Sequence, residues 1–394
     1  MTDYFLHLGI FFSFIFVSNL LNPILLIPGD GGTRLDAKLN LSKTPHIFCF
    51  KDLDWFIAWV NIPLVILPLE VDCMVAILKL EYNATSHTTS NPDGVEIKWG
   101  QPGTLKGIST LDEFGFIVYY RDMIEDLADV GYQPGVNIQG LPFDWRKAGN
   151  ELTDSINSMI QLIESLYEKT NNSVIIVSHS MGGFVVLQML QQQTKLWKDK
   201  YIKCVVAVAT PYYGAIKAIQ ATISGYDLDS RFIPAEKLKY ALRTYPSTAW
   251  LFPNTKFWDN KDTLVFTPSK NYTYNDYKEL YADLNFKQGY KMYLDTFSLL
   301  TLEPPGVEWH TLYGENLSTP YRLRYGKDFP NDQPNIDSVS GDGTVNVFSS
   351  TGSKYWINKQ KEKLEFHAIN KVEHVDLISN REVIEYVKKV ANVL

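Results

Sequence analysis

Ser178-His179-Ser180-Met181-Gly182-Gly183 places a serine among small residues where an apolar run, Ser173 to Ser178, gives way to a helical pattern. From Gly183 to Lys195 the apolar residues recur at helical spacing. A nucleophile elbow needs this context. Its tight strand-to-helix turn lifts the serine Oγ above the sheet, and the N–H of the next residue, Met181, points where an oxyanion would form. The glycine usual at the first elbow position is Ser178 here, which is small enough for the same turn. The plainer alternative is a helix N-cap serine beside glycines that allow close packing.

A serine in such an elbow needs an acid and a base downstream, in the order Ser, Asp, His. Gly341-Asp342-Gly343-Thr344-Val345 offers a carboxylate between glycines, and Glu373-His374-Val375-Asp376-Leu377 offers an imidazole ahead of the last amphipathic segment. Asp342 would hold the His374 tautomer and stabilise its imidazolium. Asp-Gly is also a common turn, so Asp337 and Asp376 stand as substitute acids. Of the seven histidines, His374 alone is both late and well placed; His310 and His367 read as packed in or beside strands. A second oxyanion donor is expected in the loop after an early strand. Pro28-Gly29-Asp30-Gly31-Gly32-Thr33 supplies that loop, and the Asp30 N–H is assigned. A phosphate cradle is the alternative, but neither G-x-G-x-x-G nor a following Lys-Ser/Thr appears. These residues describe a serine esterase that needs no cofactor. No Cys/His spacing suggests a metal site.

The elements that must position these groups are legible as well. Pro23 to Ile27, Ser173 to Ser178 and Cys204 to Ala209 are short continuous apolar runs, the form of parallel strands buried on both faces. With the helical segment after Ser180 they make a βαβ unit. Before it, Asn150 to Lys169 carries a buried stripe of Ile156, Met159, Ile160, Ile163 and Leu166. From Tyr212 to about Pro305 the chain turns aromatic and irregular, as an inserted cap would. The core resumes at Gly306 to Gly314 and closes with an amphipathic helix, Arg381 to Asn392. The expected fold is α/β, with a mostly parallel sheet and insertions around one core. A net charge of −7 and the lack of a long basic run argue against a nucleic-acid binder.

Leu8 to Val17 is an apolar run of signal-peptide length, so residues 1–21 are expected to be a cleaved leader, with a buried strand or signal anchor as the alternative. Sequons at Asn40, Asn83, Asn171, Asn271 and Asn316 fit the same secretory route. The destination would be the lysosomal lumen or the outside of the cell. In an oxidising compartment Cys49 pairs with Cys73 and leaves Cys204 as a buried thiol; three unpaired core cysteines are the alternative.

Beyond these sites the chain resembles the lecithin–cholesterol acyltransferase family, in its lysosomal phospholipase A/acyltransferase branch. The resemblance rests on many words in the same order. They include Pro28-Gly29-Asp30-Gly31-Gly32, Tyr82-Asn83-Ala84-Thr85-Ser86, Pro142-Phe143-Asp144-Trp145-Arg146, the elbow, Trp197-Lys198-Asp199-Lys200-Tyr201-Ile202 and Gly341-Asp342-Gly343-Thr344-Val345-Asn346. It implies an α/β-hydrolase fold and calcium-independent cleavage of a phospholipid acyl ester. The acyl group would pass to a lipid alcohol, ceramide-like in the lysosomal branch and cholesterol in the plasma branch, or to water. A sterol acyltransferase and a silent lipid-binding protein are the competing readings. The resemblance also implies that Cys49 and Cys73 close a lid loop beside a membrane-binding subdomain. The expected order is core at 22–45, lid and membrane-binding subdomain at 46–97, core with elbow at 98–211, cap at 212–305, and core with acid and base at 306–394. Partners would be a phospholipid membrane or lipoprotein surface. Trp55, Phe56, Trp59, Leu64, Val65 and Leu67 are the candidate contacts, since Pro63 and Pro68 forbid one continuous buried helix there. The alternative is that these residues complete the core. Two departures stand out: Pro211-Tyr212-Tyr213-Gly214 replaces the family's Pro-Trp-Gly-Gly, and a late cysteine pair has no counterpart.

Overall fold

The computed structural model describes residues 21–61, 64, 70–226, 234–254, 258–259, 261–299 and 301–393. The leader expected at residues 1–21 thus lies outside them except for Leu21, as do Val65 and Leu67. Among the described residues no helix is long and apolar enough to cross a membrane.

Six strands form the central sheet: β1 (Ile24–Ile27), β2 (Ile138–Gly140), β3 (Val174–His179), β4 (Ile202–Val208), β5 (Trp309–Glu315) and β6 (Leu364–Asn370). Their order is β6-β5-β4-β3-β1-β2, and every pairing is parallel. Alternate residues of one strand feed opposite faces. Leu25, Ile27, Ile176, Val205 and Ala207 pack with Met159, Ile163, Phe184 and Val185 on one side. Ile24, Leu26, Ile175, Val177, Val206 and Val208 pack with Met123, Leu127, Val383, Ile384 and Val387 on the other. Helices on both faces are why these strands read as unbroken apolar runs. Each large side chain so buried contributes about 1.5–3 kcal/mol, and Ile176→Ala would cost about 2–5 kcal/mol through the cavity it leaves.

The helices fall near their expected places: α1 is Thr153–Thr170, α2 is Gly182–Gln191 and α3 is Arg381–Val390. The helix after the elbow ends sooner than Lys195, because a new one starts there, with the Thr194 side chain capping the Trp197 N–H.

Two smaller sheets cut across the expected segment limits. Leu35–Asn40 pairs antiparallel with both Asp52–Trp59 and Val95–Lys98, so that sheet draws on both sides of residue 45. Val265–Phe266 and Asn271–Tyr272 join Leu317–Arg324 and Asn335–Gly341 in a four-stranded sheet across residue 305. The excursion at 46–97 is bolted to the core by Arg146. Its guanidinium makes a two-point ion pair with Asp144 (2.9 and 2.7 Å) and donates to Leu78 O at 3.1 Å and Asn91 Oδ1 at 2.9 Å. Burial opposes the Asp144 charge, yet Arg146 beside it holds the carboxyl below its ordinary value. The Cys49–Cys73 disulfide closes the excursion, and Cys204 is a free buried thiol, which burial pushes up to about 12.

Candidate active site

Ser180 follows β3 and precedes α2 with φ of 53°, a left-handed conformation that costs a non-glycine residue on the order of 1–3 kcal/mol. Packing enforces it. A Cβ on Gly182 would stand 2.4 Å from Pro28 O, and one on Gly29 would stand 2.8 Å from Ser180 Cβ. The elbow and the loop after β1 are therefore in direct contact, and only glycine permits that approach at both places.

The three residues expected to react come together. His374 Nδ1 lies 2.7 Å from Asp342 Oδ2, and His374 Nε2 lies 2.9 Å from Ser180 Oγ. With Nδ1–H donating to the carboxylate, Nε2 is left to accept the Ser180 O–H. Asp342 is 0% exposed and the other two 8% each, so the line is shielded while its serine end still reaches solvent. The remaining Asp342 oxygen accepts the N–H groups of Thr344 (3.0 Å) and Val345 (2.7 Å). Asp342 directly follows the strand Asn335–Gly341 of the small sheet rather than a strand of the central one. The substitute acids stand apart: Asp337 pairs with Arg324 at 2.7 Å, and Asp376 is exposed on the turn after His374.

On the oxyanion side, Asp30 and Met181 flank the Gly29–Ser180 contact. Among the described residues neither backbone N–H has a protein acceptor, so both remain able to donate to a substrate oxygen. Asp30 is exposed as a residue, while protein atoms crowd around its carboxyl. Burial pushes its carboxyl up to about 7 against the weaker opposing pull of His374 and the Gly31 N–H.

Two residues of this site had no role assigned from sequence, Tyr119 and His179. Tyr119 Oη accepts the Gly29 N–H at 3.0 Å and lies 2.6 Å from His179 Nδ1. His179 was visible inside the elbow motif; Tyr119 has no local signal, since an aromatic pair before a helix reads as core.

The candidate membrane contacts divide. Trp59 is half-buried and braces the site, its indole N–H donating to Gly31 O at 2.7 Å and its ring meeting Trp145 at 5.1 Å. Phe56 and Leu64 are partly buried against the core. Trp55 is exposed beneath the Lys98 ammonium, 3.8 Å from its ring centroid. The more exposed apolar residues are Ile47 (92%), Phe48 (65%) and Phe50 (63%), beside the disulfide. All five sequon asparagines, Asn40, Asn83, Asn171, Asn271 and Asn316, are exposed.

A separate polar cavity of about 420 Å³ is lined by Lys203, His310, Glu365, His367 and Tyr386 among others. Lys203, His310 and Glu365 sit at the start of their strands, at the opposite end of the sheet from Ser180. Neither of its histidines belongs to the Ser180–His374–Asp342 line. Among the described residues no cluster of ligating side chains could hold a metal ion.

A family model described as lecithin:cholesterol acyltransferase matches residues 55–300. This chain belongs to that family. It is 36% identical to the lysosomal phospholipase A and acyltransferase of Rattus norvegicus over 93% of this chain and 90% of the relative. The Homo sapiens protein of that name is 35% identical over 93% of this chain and 90% of its own length. Phosphatidylcholine-sterol acyltransferase of Gallus gallus is 32% identical over 92% of this chain and 88% of the relative. A chain in the crystal structure of the Tle4-Tli4 complex covers 94% of this chain and 98% of its own, with a TM-score of 0.56 at 12% identity, a likeness of fold alone. The central sheet, its flanking helices and this neighbour make the fold that of an α/β hydrolase. The chain is thus a member of an enzyme family.

Proposed function

We propose that this chain is a calcium-independent phospholipase A and O-acyltransferase that uses Ser180, His374 and Asp342. The observation that carries the reading is His374 bridging Ser180 Oγ and Asp342 Oδ2 at 2.9 and 2.7 Å in a relative of lysosomal phospholipase A and acyltransferase. Ser180 Oγ attacks the acyl ester carbonyl of a glycerophospholipid as its proton passes to His374 Nε2, while Asp342 stays ionised and steadies the imidazolium. The N–H groups of Asp30 and Met181 donate to the former carbonyl oxygen and stabilise its negative charge. The lysophospholipid alkoxide leaves with the proton from His374. A lipid alcohol of the ceramide kind, or water, then attacks the acyl carbon as its proton passes to His374, and Ser180 Oγ leaves with that proton, freeing the new ester or fatty acid.

Substrate is drawn from a lipid surface by the lid and membrane-binding excursion. The exposed side chains beside the Cys49–Cys73 disulfide support that role, with Trp55 at its edge. The five exposed sequons support passage through the secretory pathway to the lysosomal lumen or beyond the cell.

The deciding experiment incubates the protein and Ser180→Ala with liposomes of phosphatidylcholine, ceramide and cholesterol, then identifies the acylated products. Acylceramide and free fatty acid from wild type alone uphold the reading. Cholesteryl ester as the main product shifts the acceptor to sterol, and no Ser180-dependent product defeats it.

A further inference from the structure

Tyr119 and His179 stand one step behind the reacting atoms and take no part in the proton transfers above. Both are buried. The hydrogen bonds around them form one line: Gly29 N–H to Tyr119 Oη (3.0 Å), Tyr119 Oη to His179 Nδ1 (2.6 Å), and His179 Nε2 to the carbonyl oxygen of His374 (3.0 Å). Counting donors and acceptors assigns every proton in it. A carbonyl only accepts, so His179 Nε2 carries the hydrogen. In a neutral imidazole Nδ1 then accepts, so the Tyr119 hydroxyl donates to it and takes the Gly29 N–H on a lone pair.

A charged His179 would break this line by turning Nδ1 into a donor. It would also set a second cation beside His374, whose ring centre is 4.9 Å away. Burial first, then the field of His374, hold His179 well below the ordinary imidazole value. The two ends of the line are the parts of the site that must not drift. Gly29 precedes the Asp30 N–H and touches the Ser180 side chain, while the His374 backbone is gripped on both sides, its own N–H donating to Asp342 O at 2.9 Å.

We propose that Tyr119 and His179 are a positioning pair that holds the Gly29–Asp30 loop and the His374 backbone at a set separation, so that one hydrogen-bonded line places both the oxyanion donor and the base. This rests on the triad reading above. Misplacement of reacting groups acts on the chemical step more than on ground-state binding, so the effect falls on kcat.

The test compares Tyr119→Phe, His179→Leu, His179→Gln and the double variant Tyr119→Phe/His179→Leu in the full chain. A soluble short-chain nitrophenyl ester is the substrate, and Tm is measured alongside. Tyr119→Phe and His179→Leu are each expected to lower kcat about 10- to 100-fold with KM within about twofold. The double variant should be no slower than the worse single, because the two side chains act as one unit. His179→Gln, whose amide can still donate to the His374 carbonyl, should recover part of the loss. Losses that multiply in the double variant, or a wild-type kcat in Tyr119→Phe, overturn the proposal. If His179→Leu does not fold, Tyr119→Phe and His179→Gln decide it alone: lower kcat at an unchanged Tm upholds the pair, and unchanged kcat overturns it. Ser180→Ala is run beside them. Surviving esterase activity there defeats the triad reading and the pair with it, whereas an inactive Ser180→Ala beside a fully active Tyr119→Phe defeats only the pair.

Discussion

The neighbourhood of Ser180 and the excursion around Cys49–Cys73 solve opposite problems. Around Ser180 the side chains of Asp342, His374, His179 and Tyr119 are buried and hydrogen-bonded, and Ser180 is held in a strained backbone conformation by glycine contacts too close for any Cβ. Around the disulfide, Ile47, Phe48 and Phe50 face solvent, while the same excursion is anchored beneath them by Val71, Met74, Ile77 and Leu78 in the core and by Arg146. A site that must stabilise charge keeps its dipoles fixed before substrate arrives. A surface meant to meet lipid leaves apolar area uncovered. The two regions should therefore fail differently when altered.

The sharpest way to break the comparison is Ser180→Ala, which should lower kcat by roughly a thousandfold or more on liposomes and on a soluble nitrophenyl ester alike, with Tm unchanged. Activity above about a tenth of wild type would mean that the nucleophile lies elsewhere. Next in size, Asp342→Asn should approach that loss because it leaves His374 in the wrong tautomer. Asp337→Asn, at an exposed ion pair with Arg324, should leave kcat near wild type and Tm little changed. Equal losses in the two would mean that the acid is misassigned.

A smaller effect is expected from Asp30. Its carboxyl is pushed up to about 7, so it is neutral in acid and becomes charged as pH rises through that value. A carboxylate beside the developing oxyanion opposes it, so activity should decline on the alkaline side, and Asp30→Asn should remove that decline. The acid limb, where the base is protonated, should remain. Stability follows the same sign. The folded-state value lies above the ordinary 3.8, so the contribution of Asp30 is complete below 3.8 and lost as pH rises through about 7. Asp30→Asn should therefore raise Tm at pH 8 more than at pH 5. Identical pH–rate profiles for the two proteins would remove Asp30 from the mechanism.

The mildest change tests the other region. Replacing Ile47, Phe48 and Phe50 by Ser should reduce liposome hydrolysis, since each inserted side chain contributes ~1.5–3 kcal/mol of transfer free energy, and leave soluble-ester kcat intact. Binding should depend little on salt, as apolar transfer rather than charge drives it. A parallel fall in both activities and in Tm would instead make these residues part of the fold.

Much of the catalytic half was legible because its signals are short in sequence. Ser180 lies at the junction of an unbroken apolar strand and an amphipathic helix, and both patterns are complete within about ten residues on either side, the scale on which hydrophobic periodicity operates. The excursion was harder to read. Asp52–Trp59 pairs through two register irregularities, so its side chains do not alternate cleanly, and an aromatic run there suits a core or an interface equally well. Trp59 shows the ambiguity: it sits in a run read as a candidate membrane contact, and its indole closes on Gly31.

The sequence by itself determined the α/β class, the strand–turn–helix setting of Ser180, the glycine loop after β1 and the pairing of Cys49 with Cys73. Each depends on residue type within a short window or on redox context. Only the tertiary structure decided that Asp342 rather than Asp337 or Asp376 meets His374, and that the carboxylate arrives from a small sheet outside the central one. It alone brought Tyr119 to His179 and Gly29. The physical reason is range. His374 reaches Asp342 across 32 residues of chain and Ser180 across 194, and hydrogen bonds of that span exist only after packing has placed the strands that carry them.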